Sequence, residues 1–102
     1  MYIIGKNQID KQGRIIISGL FDNNSTSKII PVVDPETEMI ELLPVKDVPS
    51  FGAPVSLDEK NRIILPKWIR EELGNIAELH LIIDGDKRYL SPITGNILPR
   101  AD

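Results

Sequence analysis

The chain has 102 residues, 41% of them hydrophobic and 26% charged, with a formal net charge of −3 and a pI near 5.1. These values weigh against intrinsic disorder and against a uniformly basic nucleic-acid binder, and they set one small domain, helped by association with another copy, as the expectation. Zero cysteines and a lone His80 exclude disulfides, thiolate chemistry and a zinc constellation; with no ~20-residue apolar run and no leader pattern, a cytoplasmic chain without membrane contact or cofactor is expected.

Ile9-Asp10-Lys11-Gln12-Gly13-Arg14-Ile15-Ile16-Ile17 places a polar turn ahead of a β-branched strand run. Gly19 to Ser27 follows with turn and loop composition, room at most for one helical turn around Leu20-Phe21. A third strand ends at Val32-Val33-Asp34, and Pro31 within it marks an edge or a bulge. Asp34-Pro35-Glu36-Thr37-Glu38 reads as an exposed turn, with too few oxygen ligands at a defined spacing for calcium. Val45 to Pro54, carrying Pro49, Gly52 and Pro54, reads as a linker.

Leu57 to Gly74 is the most informative stretch. Asp58 to Asn61 is a polar turn, Arg62 to Leu65 a strand, and Pro66 opens a short helix, Lys67 to Leu73, that Gly74 closes. Ile69 and Leu73, four apart, share its apolar face with Trp68 beside them, while Lys67, Arg70 and Glu71 occupy the remaining surface. Leu79, Leu81 and Ile83 alternate with Glu78, His80 and Ile82 as a half-buried strand, and Asp84-Gly85-Asp86 turns the chain into Lys87 to Leu90. Thr94 to Asp102 is a weakly structured tail.

The two halves repeat. Asp10 and Asp58 begin matching segments 48 residues apart, Asp34 and Asp84 end segments 50 apart, and Pro44 and Pro92 return to 48. Residues 1–48 and 49–93 therefore read as two copies of one unit of strand, turn, strand, connector, strand, turn, strand, with the helix kept only in the second. Ile15 to Ile17 and Ile63 to Leu65 are apolar on both faces, so neither copy can bury its strands alone. The expected fold is mostly β with one short helix, the copies closing on each other as a pseudo-two-fold β-barrel.

Leu57 to Gly74 resembles the signature of the AbrB/MazE/SpoVT swapped-hairpin superfamily: Asp, a small turn residue, Arg, an apolar triplet, Pro, then a short helix with Arg and Leu-Gly. Ile9 to Ile17 fits the first half of that signature and departs where Ser18 replaces the proline and the helix is missing. The likeness spans roughly residues 6 to 93, and the tandem copies are similar to the MraZ arrangement, with a degenerate first repeat. The resemblance implies an AbrB-type swapped-hairpin barrel and a DNA-binding transcriptional regulator, a homodimer or larger assembly on double-stranded DNA. The residues it assigns to DNA are Lys11 and Arg14 in the first copy and Lys60, Arg62, Lys67 and Arg70 in the second. Cations near phosphate release counterions, and Arg can also bond a guanine edge.

Other readings share the same residues. Arg14 and Arg62 can pair with Asp10 and Asp58 in their own hairpins, and Lys67 with Glu71 is spaced for a helix-surface ion pair worth ~0.3–0.5 kcal/mol. Trp68 is expected in the core or a dimer contact, and His80 is expected to point into solvent. For the whole chain the alternatives are an interaction or oligomerisation module that has lost DNA binding, or an antitoxin with a protein partner. No nucleophile with a base, Gly-rich phosphate loop or paired carboxylates stands out in the sequence, so an enzyme is not expected.

Overall fold

The computed structural model describes residues 1–22, 26–45, 54–74 and 78–92. In chain order the elements are β1 (Tyr2–Gln8), β2 (Arg14–Ile16), β3 (Lys28–Val33), β4 (Ile40–Val45), β5 (Val55–Ser56), β6 (Arg62–Ile64), α1 (Lys67–Leu73), β7 (Glu78–Asp84) and β8 (Lys87–Pro92). The fold is mostly β with one short helix among the described residues. Six strands form an antiparallel sheet in the order β1-β7-β8-β4-β3-β5, while β2 and β6 form a separate two-stranded antiparallel ribbon.

The expected closed barrel is not what these ladders make. Among the described residues β1 and β5 end the larger sheet without pairing to each other, and the ribbon joins it through other contacts. Strand length explains the open ladders: β5 has two residues, β2 and β6 three each, and β1 carries an irregularity between Ile3 and Gly5. Four pairings, β1 with β7, β2 with β6, β3 with β5 and β4 with β8, join the first half of the sequence to the second.

Pro31 is accommodated as an edge residue. It stands opposite Leu42, and β5 covers the other side of β3 only at Lys28 and Ile29, so a missing N–H there costs no central ladder bond. The linker from residue 46 to 53 and the tail from 94 to 102 lie outside the described residues.

The core forms between the ribbon, the helix and one face of the sheet. Ile15, Ile17, Ile63 and Leu65 meet Ile69 and Leu73 of α1, together with Leu42, Leu79, Leu81 and Leu90 of the sheet. Each such side chain contributes about 1.5–3 kcal/mol when fully buried. Helix α1 follows Pro66 and ends at Gly74, whose N–H bonds the carbonyls of Arg70 at 3.1 Å and Glu71 at 3.2 Å and whose φ of 61° turns the chain out of the helix.

Three sequence expectations change. Ile82, assigned to the polar face of its strand, is fully buried in a second cluster with Met39 and Tyr89. His80 is half-buried, and its Nδ1 is enclosed without a hydrogen-bond partner among the described residues. Trp68 is 50% exposed, which removes the core and leaves the contact between copies of its two expected places; α1 buries Ile69 and Leu73.

Candidate nucleic-acid interface

Each ribbon strand is entered through a turn built by an aspartate. Asp10 Oδ1 accepts the N–H groups of Gln12 and Arg14, both at 2.9 Å, and Oδ2 accepts Arg14 Nε at 2.8 Å. Asp58 Oδ1 accepts Lys60 and Arg62 N–H at the same 2.9 Å, and its Oδ2 accepts Arg62 Nε at 2.8 Å. A short acidic side chain that bonds the backbone two and four residues on is the usual reason for Asp at a turn. Gly13 (φ 82°) and Asn61 (φ 60°) supply the left-handed residue that each turn needs.

The equivalence extends into the ribbon. Gly13 N–H bonds the Asp10 carbonyl and Asn61 N–H the Asp58 carbonyl, each at 3.0 Å, while Ile17 N–H reaches Asn61 and Leu65 N–H reaches Gly13, each at 2.8 Å. A local pseudo-dyad therefore passes by the facing pair Ile15 and Ile63. Alternation along the strands turns Ile15 and Ile63 inward, at 1% exposure each, and puts Arg14, Ile16, Arg62 and Ile64 on the outer face. There Arg14 stands opposite Ile64 and Ile16 opposite Arg62. Ile16 and Ile64 are exposed, although the apolar runs pointed to burial on both faces.

The hairpin ion pairs anticipated for Arg14 and Arg62 are thus present. They hold each guanidinium by Nε, leaving the Nη donors for another partner. The Arg14 N–H above all, then its guanidinium and the Gln12 N–H, hold the Asp10 carboxyl below the ordinary range, against a partial desolvation that raises it. Arg62 and Lys60 act likewise on Asp58.

Of the remaining candidates, Lys11, Lys60 and Lys67 are exposed, and among the described residues none forms an ion pair. The Lys67–Glu71 bridge is accordingly not made. Arg70 reaches back from α1: its Nε donates to the Leu65 carbonyl at 3.1 Å, and its guanidinium lies so close to Gly13 that a Cβ there would stand 3.0 Å from Nε. A cleft of about 180 Å³ between this turn and the helix is lined by Asp10, Lys11, Gly13, Arg70 and Leu73. All six residues therefore lie on the ribbon, its two turns or the adjoining helix.

Two supporting residues escaped the sequence reading. Asn7 Nδ2 donates to the Ile16 carbonyl at 2.7 Å and ties β1 to the ribbon. Arg88 Nε donates to the Leu20 carbonyl at 3.0 Å and holds the loop that stands where a first-half helix would be. Neither lies within a repeated motif, so only the fold reveals them.

Two further acidic turns stand apart from the Asp10 and Asp58 turns. The Asp84-Gly85-Asp86 turn is at the Tyr2 end of the β1–β7 pair, whereas the Asp10 turn follows its Gln8 end. A seven-residue strand separates them by roughly 20 Å. Asp34 to Glu38 likewise caps the Val33 end of β3, and β5, which leads to the Asp58 turn, pairs at the Lys28 end. The Asp84–Asp86 turn is thus a strand length from the Asp10 turn, and the Asp34–Glu38 turn lies at the end of β3 away from the Asp58 turn, while Glu38 shares a cleft with Trp68 and Glu72 of α1.

Among the described residues no set of three or more His, Cys, Asp or Glu side chains is grouped to hold a metal ion, and no helix is long and apolar enough to cross a membrane. Compared with known proteins, the sequence matches no family model and no curated protein.

Proposed function

We propose that this chain is a DNA-binding transcriptional regulator of the AbrB type, a single-chain unit in which two swapped-hairpin repeats share one ribbon. The observation that carries the reading is the outer face of that ribbon, where Arg14 and Arg62 alternate with Ile16 and Ile64 about the pseudo-dyad. A two-stranded ribbon fits the major groove, about 12 Å wide, where Arg bonds guanine O6 and N7 and an apolar side chain meets the thymine methyl. Asp10 and Asp58 preorganise the two arginines by holding Nε. Lys11, Lys60, Lys67 and Arg70 flank them as phosphate contacts, which position the protein without specifying sequence.

The duplex is bound without chemistry, and regulation follows from occupying or organising a promoter. The chain acts in the cytoplasm as a homodimer or larger assembly. A second reading, a protein-interaction module, draws on the exposed Tyr2, Ile3 and Ile4 of edge strand β1, at 72%, 42% and 43%.

The test is a titration of a labelled random duplex at about 50 to 200 mM salt, comparing the native chain with Arg62→Ala. Binding that weakens steeply with salt, with a log–log slope no steeper than about −5.4 per chain if all six cations meet phosphates, and that weakens further in the variant supports the regulator. Absence of binding by the native chain at about 50 mM salt favours the interaction module.

A further inference from the structure

The ribbon backbone obeys the pseudo-dyad; its charges do not. Across the 48-residue shift Lys11 corresponds to Glu59, Gln12 to Lys60, Lys67 to Gly19 and Arg70 to Asp22. The difference is built into the packing as well. In the second half the Leu65 carbonyl accepts Arg70 Nε, and that guanidinium then lies against Gly13 of the Asp10 turn. In the first half the equivalent Ile17 carbonyl accepts the backbone N–H of Leu20 at 3.1 Å, and residues 18 to 22 include no cation.

One end of the ribbon therefore gathers Lys11, Arg14 and Arg70, with Asp10 already engaged by Arg14. The other has Lys60 and Arg62 with Asp58 engaged, and Glu59 opposes the remaining charge. Arg70 also fills the space over Gly13, which is itself buried, and so braces the more cationic turn against the helix.

Resting on the DNA-binding reading above, we infer that the ribbon seats unevenly on the duplex, with the Asp10 turn and Arg70 gripping phosphate and the Asp58 turn contributing less. Arg14 and Arg62 still face bases on either side of the pseudo-dyad, but the phosphate contacts that set register come mainly from one end.

The test compares Lys11→Gln with Lys60→Gln. Both lysines are exposed on turns and make no ion pair among the described residues, so both variants should keep the fold. Fluorescence anisotropy with a random duplex at about 50 to 200 mM salt gives the log–log slope of affinity for each. Lys11→Gln should reduce the magnitude of the slope by about 0.9, one phosphate contact, and Lys60→Gln by less than half as much. Equal losses, or a larger loss from Lys60→Gln, overturn the uneven seating while DNA binding stands. If the native chain shows no salt-dependent binding, the DNA-binding reading fails and this inference fails with it.

Discussion

Gly13→Ala probes the joint between the Asp10 turn and α1. At φ 82° an L-residue costs about 1–2 kcal/mol relative to glycine, whatever surrounds it. The surroundings add to this, because the new Cβ would lie 2.8 Å from Arg70 Cδ, closer than such atoms stand, and at a tight 3.0 Å from both Nε and Nη1. Arg70 must move, and its 3.1 Å bond to the Leu65 carbonyl, worth about 0.5–1.5 kcal/mol, is lost. The variant should therefore be destabilised by about 1.5–3.5 kcal/mol, a large share of the 5–15 kcal/mol typical of a domain. Urea unfolding with linear extrapolation measures this, and the same substitution in an Arg70→Ala background should cost only about 1–2 kcal/mol. Equal costs in the two backgrounds would refute the role of the Arg70 contact. A cost below about 0.5 kcal/mol in the native background would refute the left-handed geometry of the turn as well.

Other variants examine the ribbon, the helix and the pH response. Ile63→Ala, in the core at 1% exposure, should cost about 2–5 kcal/mol, whereas Ile64→Ala, 52% exposed, should stay within about 0.5 kcal/mol; similar losses in urea unfolding would contradict the assigned faces. The carboxyls of Asp10 and Asp58 are held below their unfolded value of 3.8, first by the N–H of Arg14 and of Arg62. Their contribution is thus fully present above that value and lost as pH falls through the lower folded values. Urea midpoints should decline below about pH 4, and Asp10→Asn with Asp58→Asn should flatten that decline; an unchanged profile would contradict the lowered values. Trp68, half-exposed beside a cleft of about 480 Å³ that Val33 and Ile40 also line, should be quenched readily by acrylamide in dilute protein. Protection that appears only as concentration rises would mark this face as the contact between copies, and protection at every concentration would contradict its exposure.

Local chemistry made several elements legible in the sequence. The polar clusters at Asp10 and Asp58 announced turns because Asp bonds its own following backbone, and Pro66 and Gly74 bracketed Lys67–Leu73 because one fixes φ and the other accepts a positive one. The 48-residue correspondence likewise brought Arg14 and Arg62 forward together. Tertiary structure decided what those signals leave ambiguous. An apolar triplet such as Ile15-Ile16-Ile17 has two faces, and only packing against the sheet and helix determines that Ile16 is the exposed one. Burial of Ile82 depends on Met39 and Tyr89, and the exposure of Trp68 on how few positions a seven-residue helix can press into the core. The ladders remain open because very short strands run out of backbone partners, a property of length and position that side-chain pattern does not encode. Arg70 over Gly13 and Arg88 on the Leu20 carbonyl join residues distant in sequence. Such contacts are set by how the chain closes on itself, so the 48-residue shift shows the unequal charges but only the fold shows that Arg70 joins the Asp10 turn.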